Sequence, residues 1–166
     1  SKITLHKKDK ILCAKHRKGH FEGVLDVMNN LTKIINPQKI FMGEKDFQQL
    51  FLVKRQLERL YKTKVIPCKT IRDRNNVALS SRNLLLNKSS LVIAAKIYKK
   101  LVGIKKNIKN TNNISSFLNF KKKELKNNYQ IKIDYLELRN INNLKISCTK
   151  KNSRLFIAYY LNNVRL

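Results

Sequence analysis

A short stretch in the first third of the chain carries residue types that can bind a nucleotide. Residues 40–49 read IFMGEKDFQQ, an apolar run that stops at a glycine and continues as a polar helix start. Gly43 lets the backbone turn tightly and approach a ligand, Lys45 offers a charge to a phosphate, and Asp46 can cap the helix or accept from ribose hydroxyls. Gln49 adds an amide that both donates and accepts. Taken alone, a helix start with a solvated Glu-Lys-Asp cluster explains these residues equally well.

A second polar stretch further along the chain favours the nucleotide interpretation. Residues 78–83 read ALSSRN, and Ile71 precedes them. Ser80, Ser81 and Arg82 offer two hydroxyls and a guanidinium in consecutive positions, which suits a triphosphate and its developing charge. Ser-Ser-Arg is common by itself, so the prediction of a phosphate site depends on the upstream stretch as well.

Together the two stretches resemble the pantothenate synthetase (pantoate–beta-alanine ligase) family. That family has a Gly-Glu-Lys-Asp-aromatic-Gln-Gln block followed downstream by Ala-Leu-Ser-Ser-Arg-Asn. Residues 19–24, GHFEGV, are similar to its Gly-His-Phe-Arg-Gly-Val, and residues 135–139, YLELR, are similar to its C-terminal strand. The resemblance covers only the later part of the family's chain, because the half that carries His-x-Gly-His is not among these residues.

The resemblance implies a ligase that condenses (R)-pantoate with beta-alanine to pantothenate through a pantoyl adenylate, converting ATP to AMP and pyrophosphate. It implies that Lys45, Ser80, Ser81 and Arg82 act in catalysis and that Gln49 binds pantoate. It also implies an ATP site formed by Gly43, Glu44, Lys45, Asp46, Ile71, Leu79, Ser80, Ser81 and Arg82.

The same resemblance implies further properties of the protein. Mg²⁺ would accompany ATP, held by phosphate oxygens and waters more than by protein carboxylates, so no protein metal site is expected. A homodimer is expected, and the chain by itself is expected to be incomplete and inactive. Another adenylate-forming or nucleotidyl-transferring Rossmann enzyme remains an open alternative.

Composition leaves a second class of function open. The chain has 166 residues, 42% of them hydrophobic, and a net charge of +27. Such a charge is typical of nucleic-acid-binding domains, but the lysines are scattered over nearly every segment and the aromatic residues do not alternate with them. A basic nucleic-acid-binding domain is therefore the alternative, not the preferred interpretation.

The cysteines and the apolar runs bear on localisation. The three cysteines are odd in number and lack metal-ligand spacing, which suits a reducing compartment. No apolar run is long enough for a bilayer or typical of a signal peptide, so we expect a cytoplasmic protein without a membrane partner.

The hydrophobic periodicity predicts an α/β fold followed by a small α+β domain. The resemblance implies that residues 1–83 form the second half of a Rossmann-like domain of nucleotidyltransferase type that binds ATP and pantoate. Residues 84–166 are expected to form a C-terminal domain with antiparallel strands. The predicted helices cover residues 22–35, 46–62, a long segment capped by Asn87, and 116–126. The predicted strands cover residues 11–14, 39–42, 64–71, 131–138, 144–148 and 155–161.

Overall fold

The computed structural model describes residues 3–166, except for the side chain of Lys109. The chain forms two compact units, Ser1–Thr70 and Ile71–Leu166. The boundary between these units lies after Thr70. The functional domain boundary predicted after residue 83 stays a prediction.

The first unit is built around two parallel strands and the helix that connects them. Along its described residues run a 3-10 helix at Lys7–Asp9, α1 at Leu12–His16, α2 at His20–Ile35, β1 at Lys39–Gly43, a 3-10 turn at Glu44–Asp46, α3 at Phe47–Leu60 and β2 at Lys64–Cys68. Ile40 of β1 pairs in parallel with Val65 of β2. A parallel pair needs a crossover connection, and α3 supplies it.

The core of the first unit lies under α3. Leu50, Val53 and Leu57 repeat at helical spacing and are buried together with Val65 of β2. Burial of this apolar face fixes α3 against the strands.

Ile11 is the N-cap of α1 and residues 12–14 lie in that helix, so the strand predicted at residues 11–14 is wrong. The backbone N–H of Ala14 and the carbonyl of Ile11 bond to the Gln48 side chain and not to a neighbouring strand. Leu12 between them has a φ of 47°, which no extended strand allows. The sequence offers no local signal for this, because the partner is distant in the chain.

Only part of the apolar surface of α2 is buried. Phe21 and Leu25 are buried, with Val24 and Met28 partly buried beside them. The remaining apolar positions are exposed and recur along one side of the helix at Val27, Leu31, Ile34 and Ile35. We call these four residues the α2 stripe.

The second unit is an α+β structure with an antiparallel sheet, as predicted. It contains a 3-10 helix at Ser81–Leu85, α4 at Lys88–Asn107, a 3-10 helix at Ile108–Asn110, α5 at Ile114–Tyr129, β3 at Lys132–Asn140, β4 at Ser153–Leu161 and β5 at Val164–Arg165. The strand order is β3-β4-β5, antiparallel throughout. The parallel pair followed by this antiparallel sheet confirms the predicted fold class.

The predicted start of α4 is confirmed by its cap. The Asn87 side chain accepts from the backbone N–H of Ser90 at 2.8 Å, and Asn113 caps α5 in the same way. Residues such as Ile97, Leu125 and Leu136 then form the core between these helices and the sheet. Asparagine caps of this kind satisfy helix N–H groups that have no partner within the helix.

The strand predicted at residues 144–148 is wrong. Leu144 has a φ of 56° and belongs to a turn, while Ile146 makes an isolated bridge to Arg139. The apolar residues at 144–148 suggest a strand. The turn is hard to predict because asparagine precedes them and not glycine, the commoner turn residue.

No helix in the described part of the chain combines the length and the apolar character needed to cross a membrane.

Candidate active site

The first part of the predicted site lies where β1 ends and α3 begins. Gly43 has φ −69° and ψ 134°, which is extended backbone, so the tight turn predicted at this glycine is wrong. The chain changes direction in the 3-10 turn Glu44–Asp46 instead. A Cβ placed on Gly43 would meet no atom of the described residues within 4 Å. The backbone of Gly43 is therefore open to a ligand.

The charged residues of this turn are accessible. The Lys45 Nζ lies 4.0 Å from a carboxylate oxygen of Asp46, and the Asp46 side chain is largely exposed. Asp46 occupies the N-cap position of α3, but its carboxylate makes no capping hydrogen bond, so the predicted capping role is wrong. Its oxygens are available to accept from a ligand hydroxyl, and the N–H groups of the first turn of α3 favour a nearby anion.

The two adjacent glutamines have different environments. Gln49, the predicted pantoate ligand, is partly exposed. Gln48 is only 4% exposed and bonds to the backbone of Asp9, Ile11 and Ala14. The sequence prediction missed Gln48; the available signal is that the apolar Leu52, which is buried, follows it at helical spacing.

The second part of the predicted site begins with a short hairpin over residues 71–79. Asp73 N–H donates to the Val77 carbonyl at 2.9 Å, and Arg72 and Ala78 form a bridge. Asn76 turns the chain with a φ of 66°, while Asp73 accepts from the N–H groups of Asn75 and Val77. Asparagine tolerates this left-handed conformation better than most residues, so the turn forms without glycine.

The hairpin brings two of the predicted nucleotide contacts together. Leu79 N–H donates to the Ile71 carbonyl at 3.0 Å, so these residues are cross-strand neighbours. Ile71 is 66% exposed and Leu79 54% exposed. An adjacent pair of exposed apolar side chains offers a surface against which a flat ring can pack.

The hairpin is also fastened to the rest of its unit. The Arg72 guanidinium lies over the Tyr98 ring of α4, 4.0 Å from its centroid. Burial raises the pKa of Tyr159 to about 12, against the opposing effect of Arg72. The cation therefore lies in an aromatic environment that orients the hairpin.

Ser80, Ser81 and Arg82 follow the hairpin directly. Ser80 Oγ accepts from the backbone N–H of Arg82 at 3.2 Å, and Ser81 is exposed. The Arg82 guanidinium is half-buried, with Nη1 3.5 Å from the carbonyl oxygen of Arg165. Arg82 therefore has a long, weak bond to the backbone that a phosphate can replace.

Asn83 is a further residue of this part that the site prediction missed. Its Nδ2 donates to the Ala78 carbonyl at 3.0 Å and so ties the end of the hairpin to the 3-10 helix. Its Oδ1 is buried and has no partner among the described residues. The motif signalled this residue, since Asn83 directly follows Ser-Ser-Arg.

The site residues thus fall into two sets, each assembled within its own unit. Gly43–Asp46 and Gln49 belong to the first unit, and Ile71, Leu79 and residues 80–82 belong to the second. Among the residues described, no group of three or more His, Cys, Asp or Glu side chains could hold a metal ion.

Comparison with known proteins identifies similar chains along the whole length. A family model described as Pantoate-beta-alanine ligase matches residues 1–166. Pantothenate synthetase from Flavobacterium psychrophilum is 36% identical over 159 residues, which cover 92% of this chain and 55% of that protein. Pantoate–beta-alanine ligase from Dictyostelium discoideum is 35% identical over 146 residues, 87% of this chain and 49% of its own length.

Solved structures agree with these matches. Pantothenate synthetase from Thermus thermophilus superposes with a TM-score of 0.90 at 25% identity, covering 100% of this chain and 61% of that one. The ligase from Francisella tularensis, solved with beta-gamma ATP and beta-alanine, has a TM-score of 0.72 at 31% identity, covering 99% of this chain and 55% of its own. The chain thus spans roughly half to three fifths of its relatives' length. The nucleic-acid-binding alternative is not supported, and the chain belongs to the pantoate–beta-alanine ligase family.

Proposed function

We propose that this chain carries the ATP- and pantoate-binding part of a ligase that makes pantothenate from (R)-pantoate and beta-alanine. In the first step a pantoate carboxylate oxygen attacks the α-phosphorus of ATP, the bond to the β-phosphate oxygen breaks, and pyrophosphate leaves. In the second step the amine of beta-alanine attacks the acyl carbon, the carbon–oxygen bond to AMP breaks, and the amine loses a proton to solvent. The similarity to a ligase solved with an ATP compound and beta-alanine supports this reaction.

The turn at the start of α3 binds ATP and pantoate in this proposal. Gly43 and Glu44 line the nucleotide with their backbone, and Lys45 neutralises phosphate charge. Asp46 accepts from the ribose hydroxyls, a role that its exposed carboxylate suits. Gln49 holds pantoate through its amide, which can bond to hydroxyl and carboxylate groups alike.

The second unit supplies the remaining contacts. Ile71 and Leu79 pack against the adenine, while Ser80, Ser81 and Arg82 stabilise the phosphates. The observation that carries the proposal is this continuity: an exposed apolar pair is followed at once by two hydroxyls and a guanidinium. A nucleotide has the same sequence of chemistry, an apolar ring joined to anionic phosphates.

The reaction needs alignment and charge neutralisation more than a protein nucleophile. The attacking group is the substrate carboxylate, so Lys45, Ser80, Ser81 and Arg82 act by orienting it and by stabilising charge that develops on the phosphates. Mg²⁺, bound mainly by phosphate oxygens and waters, would neutralise further phosphate charge. Mg²⁺ bound in this way requires no cluster of protein carboxylates.

The cellular setting and assembly are part of the same proposal. We place the protein in the cytoplasm, because Cys13, Cys68 and Cys148 form no disulfide and suit a reducing compartment. We also propose a homodimer, with the α2 stripe as the contact. In a chain of net charge +27, two copies repel each other least where an uncharged apolar surface meets its equivalent.

Nucleotide binding by the chain tests the proposal directly. ATP is titrated calorimetrically into the 166-residue chain at about 0.3 M salt, which screens contacts to the basic surface. We expect saturable binding that Lys45→Ala weakens about tenfold, or about 1.4 kcal/mol. Lys33→Ala removes the same charge from an exposed position on α2 and is the matched control, with affinity expected within about twofold.

Turnover is measured on the complete protein. Lys45→Ala is expected to remove most adenylation activity, followed as pantoate-dependent pyrophosphate release, and to leave the melting temperature close to that of wild type. Near-normal turnover in that variant, or equal loss of ATP affinity in Lys33→Ala, would contradict the assigned role. Protection against thermal unfolding by pantoate separates this ligase from other nucleotidyl-transferring enzymes.

A further inference from the structure

Gln48 is a buried polar residue of α3 that the proposed chemistry does not use. Its Oε1 accepts from the N–H of Ala14 at 3.2 Å, and its Nε2 donates to the carbonyls of Asp9 at 3.1 Å and Ile11 at 2.8 Å. The side chain is 4% exposed and uses both its donor hydrogens and its acceptor. It therefore fastens the first turn of α3 to residues 9–14.

The segment that Gln48 holds contains a strained residue. Leu12 is buried and has a φ of 47°, a left-handed conformation that leucine rarely adopts. The Gln48 bonds lie on both sides of it, at Ile11 and at Ala14. Such strain persists only where the surroundings over-determine the conformation, and the Gln48 bonds on both sides of Leu12 are one such restraint.

A second anchor joins the same segment to α3 further from the site. Arg55 donates from Nη1 to Asp9 Oδ1 at 3.0 Å and from Nη2 to Asp9 Oδ2 at 2.5 Å. Arg55 lies about 10 Å along the helix axis from Gln48, at roughly two turns. The two anchors therefore hold one segment but act on different parts of α3.

We propose that Gln48 is a positioning residue for the ligase site. It lies two residues after Asp46 and directly before Gln49, so rotation of the first turn of α3 would displace both side chains. By holding that turn against residues 9–14, Gln48 keeps the 3-10 turn Glu44–Asp46 and Gln49 in the orientation that ATP and pantoate meet. This inference rests on the proposed function for the identity of the ligands.

The test compares the two anchors in the full chain. Gln48→Met keeps the length of the side chain and removes the three hydrogen bonds, while Arg55→Met removes the ion pair. Backbone ¹⁵N order parameters are measured for residues 44–49. We expect values near about 0.85 in wild type and Arg55→Met, and a fall below about 0.6 in Gln48→Met. ATP affinity should fall about tenfold in Gln48→Met alone, although both variants lose thermal stability.

Several outcomes would overturn this role. Unchanged order parameters in Gln48→Met, or an equal fall in Arg55→Met, would make Gln48 a stability residue only. Should Gln48→Met fail to fold, Gln48→Glu retains the acceptor for Ala14 and removes the two donations, and it is judged by the same criterion. Absence of ATP binding by wild type would count against the proposed function, whereas the order parameters still decide the positioning role.

Discussion

The backbone N–H of Leu79 lies 3.0 Å from the carbonyl oxygen of Ile71, and this bond makes neighbours of two exposed apolar residues from opposite arms of a hairpin. The pair ends where Ser80 begins, so the apolar surface and the residues proposed to bind phosphate are continuous along the backbone. The geometry of the hairpin turn should therefore control the geometry of the site in this unit.

The turn residue Asn76 offers a test of whether the hairpin turn is strained. Its φ of 66° is tolerated by asparagine and is easy for glycine, but strains alanine. We expect Asn76→Ala to lower the free energy of unfolding by about 1 kcal/mol and the melting temperature by about 2–4 °C. Asn76→Gly is the control and should stay close to wild type. An Asn76→Ala protein that melts with wild type would show that the turn is not strained.

The apolar pair should recognise the base and not the phosphates. Ile71→Asp places a carboxylate on the surface proposed to face the adenine, so ATP affinity should fall about fivefold to tenfold, roughly 1 kcal/mol or slightly more. Inorganic tripolyphosphate, which has no base, is the control ligand, although its own charge is repelled slightly by the new carboxylate. Titration calorimetry with both ligands measures the difference. Equal losses for ATP and tripolyphosphate would point to charge repulsion and remove the adenine contact from the proposal.

The α2 stripe predicts a specific oligomeric state. Ile34 is 79% exposed, the largest value in the stripe, so a charge introduced there should not disturb the core. We expect wild type to sediment as a dimer and Ile34→Glu as a monomer. The monomeric variant should still be folded and melt cooperatively. Lys33→Glu, next to it in sequence, is the matched control. A wild-type monomer across the micromolar range would exclude the homodimer. The α2 stripe would then be expected to pack against the part of the family's chain that these residues do not span.

The sequence predicts the regular parts of this fold well because their causes are local. The apolar spacing of Leu50, Val53 and Leu57 predicts α3, and Asn87 predicts the start of α4, where each cap or core face is read within a few residues. The parallel pairing of β1 with β2 follows from the helix between them.

The failures have distant causes. The apolar side chains of residues 11–14 suggest a strand. The local sequence does not indicate that the Gln48 amide of α3 binds the backbone groups of this segment. Apolar spacing also cannot separate Leu25, which is buried, from Ile34, which is exposed on the same helix. The motifs contain Gln48 and Asn83, but they do not show that these two residues support the site, because support depends on tertiary contacts.

Tyr159 predicts how the stability of the protein depends on alkaline pH. Burial raises its pKa from 10.0 to about 12, although Arg72 acts in the opposite direction. Between these values the folded state keeps a proton that the unfolded state releases, so stability is complete below about pH 10 and falls as pH rises toward about 12. By about pH 11 the Tyr159 contribution should fall by about 1 kcal/mol. Tyr159→Phe removes the titrating group and should show that much less loss in urea unfolding between about pH 9 and about pH 11. Parallel curves for the two proteins would mean that the phenol ionises equally easily in the folded and unfolded states.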